Sequence, residues 1–99
     1  MMGLGINEII GDKREAVLAI AARHGAMNVR VFGSVARGEA GPESDIDFLM
    51  DLDSETSLFD RVELIQELQE LLNRRVDVAK PQILHDLIRD KVISDAVRL

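Results

Sequence analysis

The stretch Asp45-Ile46-Asp47-Phe48-Leu49-Met50 opens with carboxylates and apolar side chains in alternation. On a β-strand, side chains two residues apart share a face, at ~6.6–6.8 Å between their Cα atoms. Asp45 and Asp47 therefore share one face, while Ile46, Phe48 and Met50 share the other and demand cover. Val76-Asp77-Val78-Ala79, closed by Pro81, repeats the pattern, with Asp77 opposite the two valines. Val29-Arg30-Val31-Phe32 is a third β-prone run, ending at Gly33-Ser34. Between and around these runs lie helix patterns. Asp12 reads as a cap with Glu15 three residues on, ahead of Ala16–Ala22 and a stop at Gly25. Upstream, Ile6, Ile9 and Ile10 suggest a further helical turn broken near Gly11. Ser57, with Asp60 in the box position, opens a helix with Leu58, Val62, Ile65, Leu68, Leu71 and Leu72 on one broad stripe. A last helix from about Ile83 turns Leu84, Leu87, Ile88 and Val92 inward, and residues 38–44 are turn chemistry. The order helix, strand, strand, helix, strand, helix predicts an α/β (α+β) fold, a small mixed β-sheet with helices packed on it.

Ninety-nine residues, 46% apolar and 30% charged with two prolines, make one folded domain. Cysteine is absent, which excludes disulfides, thiolate zinc sites and cysteine nucleophiles. The only histidines are His24, at a helix end, and His85, in the last helix; neither reads as a ligand. The longest apolar run, Ala16–Ala22, falls far short of the ~20 residues of a membrane span, and no basic-then-apolar leader pattern precedes it, so the expected location is cytoplasmic. Twelve basic against 18 acidic residues give a net charge of −6, which repels a phosphate backbone. Phe32, Phe48 and Phe59 are the only aromatic rings, too few for a base-stacking platform. No direct nucleic-acid or membrane partner is expected. The face Glu63, Glu67, Glu70 reads as a solvated helix side.

The chemistry gathers where the charges oppose the apolar pattern. If the strands of Asp47 and Asp77 are neighbours, three carboxylates converge. Two such charges ~5 Å apart repel by about 3 kcal/mol at an effective dielectric of 20. A hard divalent cation such as Mg²⁺, which takes carboxylate and phosphate oxygens, would compensate them. Gly33-Ser34 follows a strand directly, where a glycine lets the backbone approach a ligand and the following N–H groups favour anions. Ser34 offers a hydroxyl and Arg37 a charged fork one turn on. Each residue also has a plainer reading: Ser34 as a helix cap, Ser44 and Asp45 as turn caps, Asp77 as a solvent-facing strand residue, and Arg37 paired with Glu39 or Glu43.

Together the residues spell Gly33-Ser34, ten residues, then Asp45-Ile46-Asp47, with Asp77 on a later strand. This resembles the nucleotidyltransferase superfamily of DNA polymerase beta type. The match is closer to its minimal nucleotidyltransferase branch, through Val31-Phe32-Gly33-Ser34-Val35-Ala36-Arg37-Gly38 and Ser44-Asp45-Ile46-Asp47-Phe48-Leu49. The resemblance implies a polymerase-beta-like core and a single minimal nucleotidyltransferase domain over residues 1–99. It implies that Asp45 and Asp47 hold two Mg²⁺ ions on the triphosphate of ATP, and that Asp77 ligates the catalytic ion and helps deprotonate the attacking hydroxyl. Gly33 and Ser34 would contact the β- and γ-phosphates, with Arg37 and Ser44 completing the nucleotide-binding set. The motif reads phosphates and metal, so the base itself stays open. In the minimal branch such domains are commonly antitoxins of HEPN-type toxins, some of which they inactivate by transferring AMP to a tyrosine. The expected function is transfer of a nucleoside monophosphate to a hydroxyl of such a partner protein. Neutralisation by contact alone, transfer to a small molecule, and assembly as a homo-oligomer stay open.

Overall fold

A computed structural model describes residues 3–99, apart from the side chains of Ile83 and Leu87. The elements in chain order are α1 (Ile6–Ile9), a 3-10 turn (Gly11–Lys13), α2 (Arg14–Arg23), β1 (Ala26–Phe32), α3 (Gly33–Ala36), β2 (Ile46–Leu52), α4 (Leu58–Leu72), β3 (Val76–Ala79), a second 3-10 turn (Pro81–Ile83), α5 (Asp86–Asp95) and β4 (Val97–Arg98). The strands form one mixed sheet in the order β3-β2-β1-β4, with β2 and β3 parallel and the other pairs antiparallel. A parallel pair needs a long crossover, and α4 supplies it between β2 and β3.

The period-2 reading of β2 holds over its first half. Ile46, Phe48 and Met50 are fully buried and meet Val31, Val78, Leu64 and Leu68 in the main core. Leu49 departs from it. Leu49 and its cross-strand partner Ala79 are also buried, outside that core. The turn at Pro81–Ile83 comes back against β2, so the polar face narrows to the end that carries the aspartates.

Other expectations shift. Asp12 does not cap α2: it lies within the 3-10 turn, and α2 starts after Lys13 without a side-chain cap. Gly11, at φ +51°, marks the expected break. β1 begins three residues earlier than Val29, because Asn28 adopts φ +52° and absorbs one extra residue as a bulge between Met27 and Arg30. The α4 capping box is present: the Asp60 N–H donates to Ser57 Oγ at 3.1 Å and the Ser57 N–H to Asp60 Oδ2 at 3.0 Å. The Ser57 N–H first, and then the Ser57 hydroxyl at 3.0 Å, both donating to that carboxyl, hold it below its usual range. The buried line of α4 is Leu64, Leu68 and Leu72, whereas Leu58 and Val62 are exposed, since at 3.6 residues per turn they point to one side of that line. Glu67 is not simply solvated. It pairs with the His24 ring and accepts from Arg23 Nη2 at 3.1 Å, joining α2 to α4, and the His24 contact foremost holds its carboxyl below the usual range. α5 starts at Asp86, leaving His85 ahead of it, and Ile88 is exposed where an inward position was expected. Leu84 and Val92 are half-buried; Leu87 lies outside the described residues.

Candidate active site

Three strands deliver one residue each to the same end of the sheet. In register, Phe32 of β1 pairs with Asp47 of β2, and Asp47 pairs with Asp77 of β3. Neighbouring strands lie about 4.8 Å apart, so the two aspartates stand side by side with their Cβ atoms on one face. Asp45 precedes β2 by one residue and is exposed, as is Asp77; Asp47 is half-buried. Partial burial, then the charges of Asp77 and Asp45, push the Asp47 carboxyl above its ordinary value, with the Arg37 charge opposing them.

A second carboxylate on β2 shows what a structurally compensated one looks like. Asp51 accepts from Asn28 Nδ2 at 3.0 Å and from Arg30 Nη2 at 3.1 Å. Among the described residues no donor reaches the Asp47 carboxylate. A strained, half-buried charge beside two others, at the mouth of a glycine turn, is the arrangement expected of a site rather than of a scaffold.

Gly33 is required there twice over. Its φ of +74° lies in the left-handed region, and a Cβ at this position would stand 2.5 Å from Asp47 Oδ2. Because that atom ends a rotatable side chain, an alanine would displace the carboxylate rather than break the fold. Gly33→Ala is expected to cost only about 1–2 kcal/mol of stability from the left-handed backbone. Its larger effect is expected on binding of Mg²⁺-ATP, the ligand that the sequence resemblance implies, measured by calorimetry; unchanged affinity would show that Asp47 need not stand where it does. Gly33 and Ser34 open α3, whose first N–H groups have no acceptor inside the turn.

Arg37 donates through Nε to Glu39 Oε2 at 3.0 Å, one of the two surface pairings expected for it, while its charge still bears on Asp47. Ser44 Oγ accepts from the Gly41 N–H at 2.7 Å and so closes the turn ahead of Asp45. Two basic residues escaped the sequence reading. Arg75 Nε lies 3.5 Å from Asp45 Oδ1, and Arg74 binds the turn at Gly41 and Ser44. The signal was the Arg-Arg pair directly before β3. With Pro42, Glu43, Ser44 and Asn73 they line a cleft of about 340 Å³ beside Asp45.

The donor chemistry fits a hard divalent cation: three carboxylates, two of them in register, whose mutual repulsion the charges of Arg37 and Arg75 offset only in part. Among the described residues no three such side chains are already drawn together into an ion-holding cluster. The register brings Asp47 and Asp77 together at the backbone; closing on an ion is left to side-chain rotation.

Comparison with known proteins places this geometry. Residues 13–99 match the family described as nucleotidyltransferase domain. A Methanocaldococcus jannaschii protein provisionally named a protein adenylyltransferase is 37% identical over 95% of this chain and 97% of its own length. The protein adenylyltransferase MntA of Thermococcus cleftensis is 39% identical over 76% of each chain. Among solved structures, one provisionally identified as a minimal nucleotidyltransferase superposes with a TM-score of 0.81 at 46% identity, covering 88% of this chain and 89% of that one. A Shewanella oneidensis complex of a tri-AMPylated HEPN toxin with its MNT antitoxin shares the fold, at a TM-score of 0.64 and 17% identity over 85% of this chain and 66% of that one. With a polymerase-beta-like sheet, a glycine-serine turn and three aspartates at one end of it, this chain belongs to the nucleotidyltransferase domain family.

Proposed function

We propose that the protein is a magnesium-dependent nucleotidyltransferase that moves AMP from ATP to a hydroxyl of a HEPN-type toxin in the cytoplasm, serving as its antitoxin. The observation that carries this reading is the in-register pair Asp47 and Asp77 beside the Gly33-Ser34 turn, with no hydrogen-bond donor on Asp47 among the described residues. The adenylyltransferase names of the relatives and the HEPN complex among the structural neighbours support it.

Asp45, Asp47 and Asp77 would hold two Mg²⁺ ions, which supply charge neutralisation on the triphosphate and a lowered pKa for the attacking hydroxyl. Gly33 leaves room for a phosphate to approach the backbone, and the N–H groups opening α3 together with the Ser34 hydroxyl donate to its β- and γ-oxygens. Arg37 exchanges Glu39 for a phosphate oxygen; Ser44 holds the turn against the nucleotide. The acceptor oxygen forms its bond to the α-phosphorus as the bond from that phosphorus to the bridging oxygen breaks. Pyrophosphate leaves, and the hydroxyl proton passes to the Asp77 carboxylate.

The acceptor belongs to a second protein. The chain has no tyrosine to modify on itself, and its charge of −6 disfavours a polynucleotide. A partner surface would complete the open cleft beside Asp45. Leu58 and Phe59 are 73% and 80% exposed on the first turn of α4, and that apolar patch favours a second reading, neutralisation by contact alone. Incubation with Mg²⁺, ATP and the neighbouring HEPN protein, followed by mass spectrometry, tests both. AMP on a partner hydroxyl, lost with Asp77→Asn, is expected. A tight complex without adduct favours contact alone, and transfer only to small molecules overturns the proposal.

A further inference from the structure

The turn that carries Asp45 and the loop that leads into β3 are tied by one side chain. Arg74 Nη1 donates to the Gly41 carbonyl at 2.9 Å and to the Ser44 carbonyl at 3.0 Å. Residues 41–45 lie outside the sheet and contain Pro42 and the exposed Glu43, so no strand ladder fixes them. Their other ties are the Gly41 N–H on Ser44 Oγ, a long Ser44 N–H bond back to the Gly41 carbonyl at 3.3 Å and, at the foot of the turn, the Ile46 N–H donating to the Arg75 carbonyl at 2.9 Å. Asp45 thus hangs from a turn whose two ends are gripped by a half-buried guanidinium. Arg74 stands just ahead of β3, on the loop that carries the chain to Asp77. The Arg75 side chain, 84% exposed, reaches Asp45 itself at 3.5 Å, whereas Arg74 binds the turn's main chain.

We propose that Arg74 is a positioning residue for the transfer site: by clamping the Gly41 and Ser44 carbonyls it sets Asp45 against Asp47 and Asp77, although it touches neither nucleotide nor ion. The inference rests on those aspartates being the transfer site. A guanidinium suits the task because its planar fork meets two acceptors at fixed angles, whereas a lysine ammonium is a point charge on a loose stem. Loss of the clamp frees the turn, and a misplacement of about 1 Å in a catalytic group lowers turnover by on the order of 10²-fold.

The test uses the full chain with Arg74→Ala and Arg74→Lys. Amide hydrogen exchange is followed without ligand, affinity for Mg²⁺-ATP is measured by calorimetry, and kcat and KM are separated for the HEPN partner. Arg74→Ala should raise exchange at residues 41–46 while β1 and α4 stay protected. It should also weaken Mg²⁺-ATP affinity and lower kcat by on the order of 10²-fold, with part of the loss restored by lysine. Unchanged exchange overturns the proposal, as does faster exchange with affinity and kcat intact. If Arg74→Ala fails to fold, Arg74→Lys carries the same two ligand-free and binding readouts, and wild-type values in both overturn it. If the wild type transfers nothing, the functional reading fails, while exchange and Mg²⁺-ATP affinity still decide the role of Arg74.

Discussion

Replacing Asp47 with asparagine is expected to lower AMP transfer by roughly 10³-fold or more, the upper scale for losing one preorganised electrostatic contact at a reacting group, and at the same time to stabilise the ligand-free protein. The second effect follows from the carboxyl's raised pKa, caused by burial first and by Asp77 and Asp45 next. Between the ordinary aspartate value of 3.8 and the higher folded value, the folded state binds more protons than the unfolded chain. Stability therefore falls as pH rises through that window, and the deficit persists at neutral pH. Asparagine carries no charge and removes it. The gain should stay within about 1 kcal/mol, since the group is half-exposed and water screens it. Thermal melts at pH 7 and pH 3 check the sign: the variant melts higher at pH 7, and the difference vanishes at pH 3. A variant less stable at pH 7 would mean that the Asp47 charge is structurally compensated after all.

Phe48→Ala is expected to have the opposite character. Phe48 is fully buried on the core face of β2, directly after Asp47 and paired with Val78 across β3. Truncating it costs about 3–5 kcal/mol through lost transfer energy and the cavity left behind. That is a large share of the 5–15 kcal/mol that holds a typical domain together. Chemical denaturation should show the midpoint falling with little change in slope. The two neighbours thus separate by role: one residue stabilises the sheet, the next one is tolerated by it.

That separation is why the site was legible in the sequence. A period of two assigns each residue of Asp45–Phe48 to a face without any knowledge of the partners, and a glycine after a β-prone run marks a close approach. The strand order was not readable, because the β2–β3 pairing depends on how α4 crosses the sheet. The α4 stripe was misphased for a different reason. Leu58 and Val62 have the i, i+4 spacing of core residues, but at ~100° per residue they fall well to one side of the line that Leu64, Leu68 and Leu72 bury. The early start of β1 was hidden by Asn28, whose left-handed backbone makes a bulge in a segment that reads as a turn. The short elements α3 and β4 carry too few residues for a period to show. Arg74 escaped because its partners are main-chain carbonyls, which leave no mark on side-chain spacing.

If Gly33, Ser34, Asp45, Asp47 and Asp77 form one metal–triphosphate site, the melting temperature with ATP, with and without Mg²⁺, reports it. Ligand at a hundred times its dissociation constant stabilises a folded protein by about 2.7 kcal/mol, which for a domain of this size is a rise on the order of 10 °C. That rise is expected with ATP and Mg²⁺ together, little of it with ATP and a chelator, and none in Asp47→Asn. Equal stabilisation by ATP with and without Mg²⁺, or a full rise in Asp47→Asn, would contradict it.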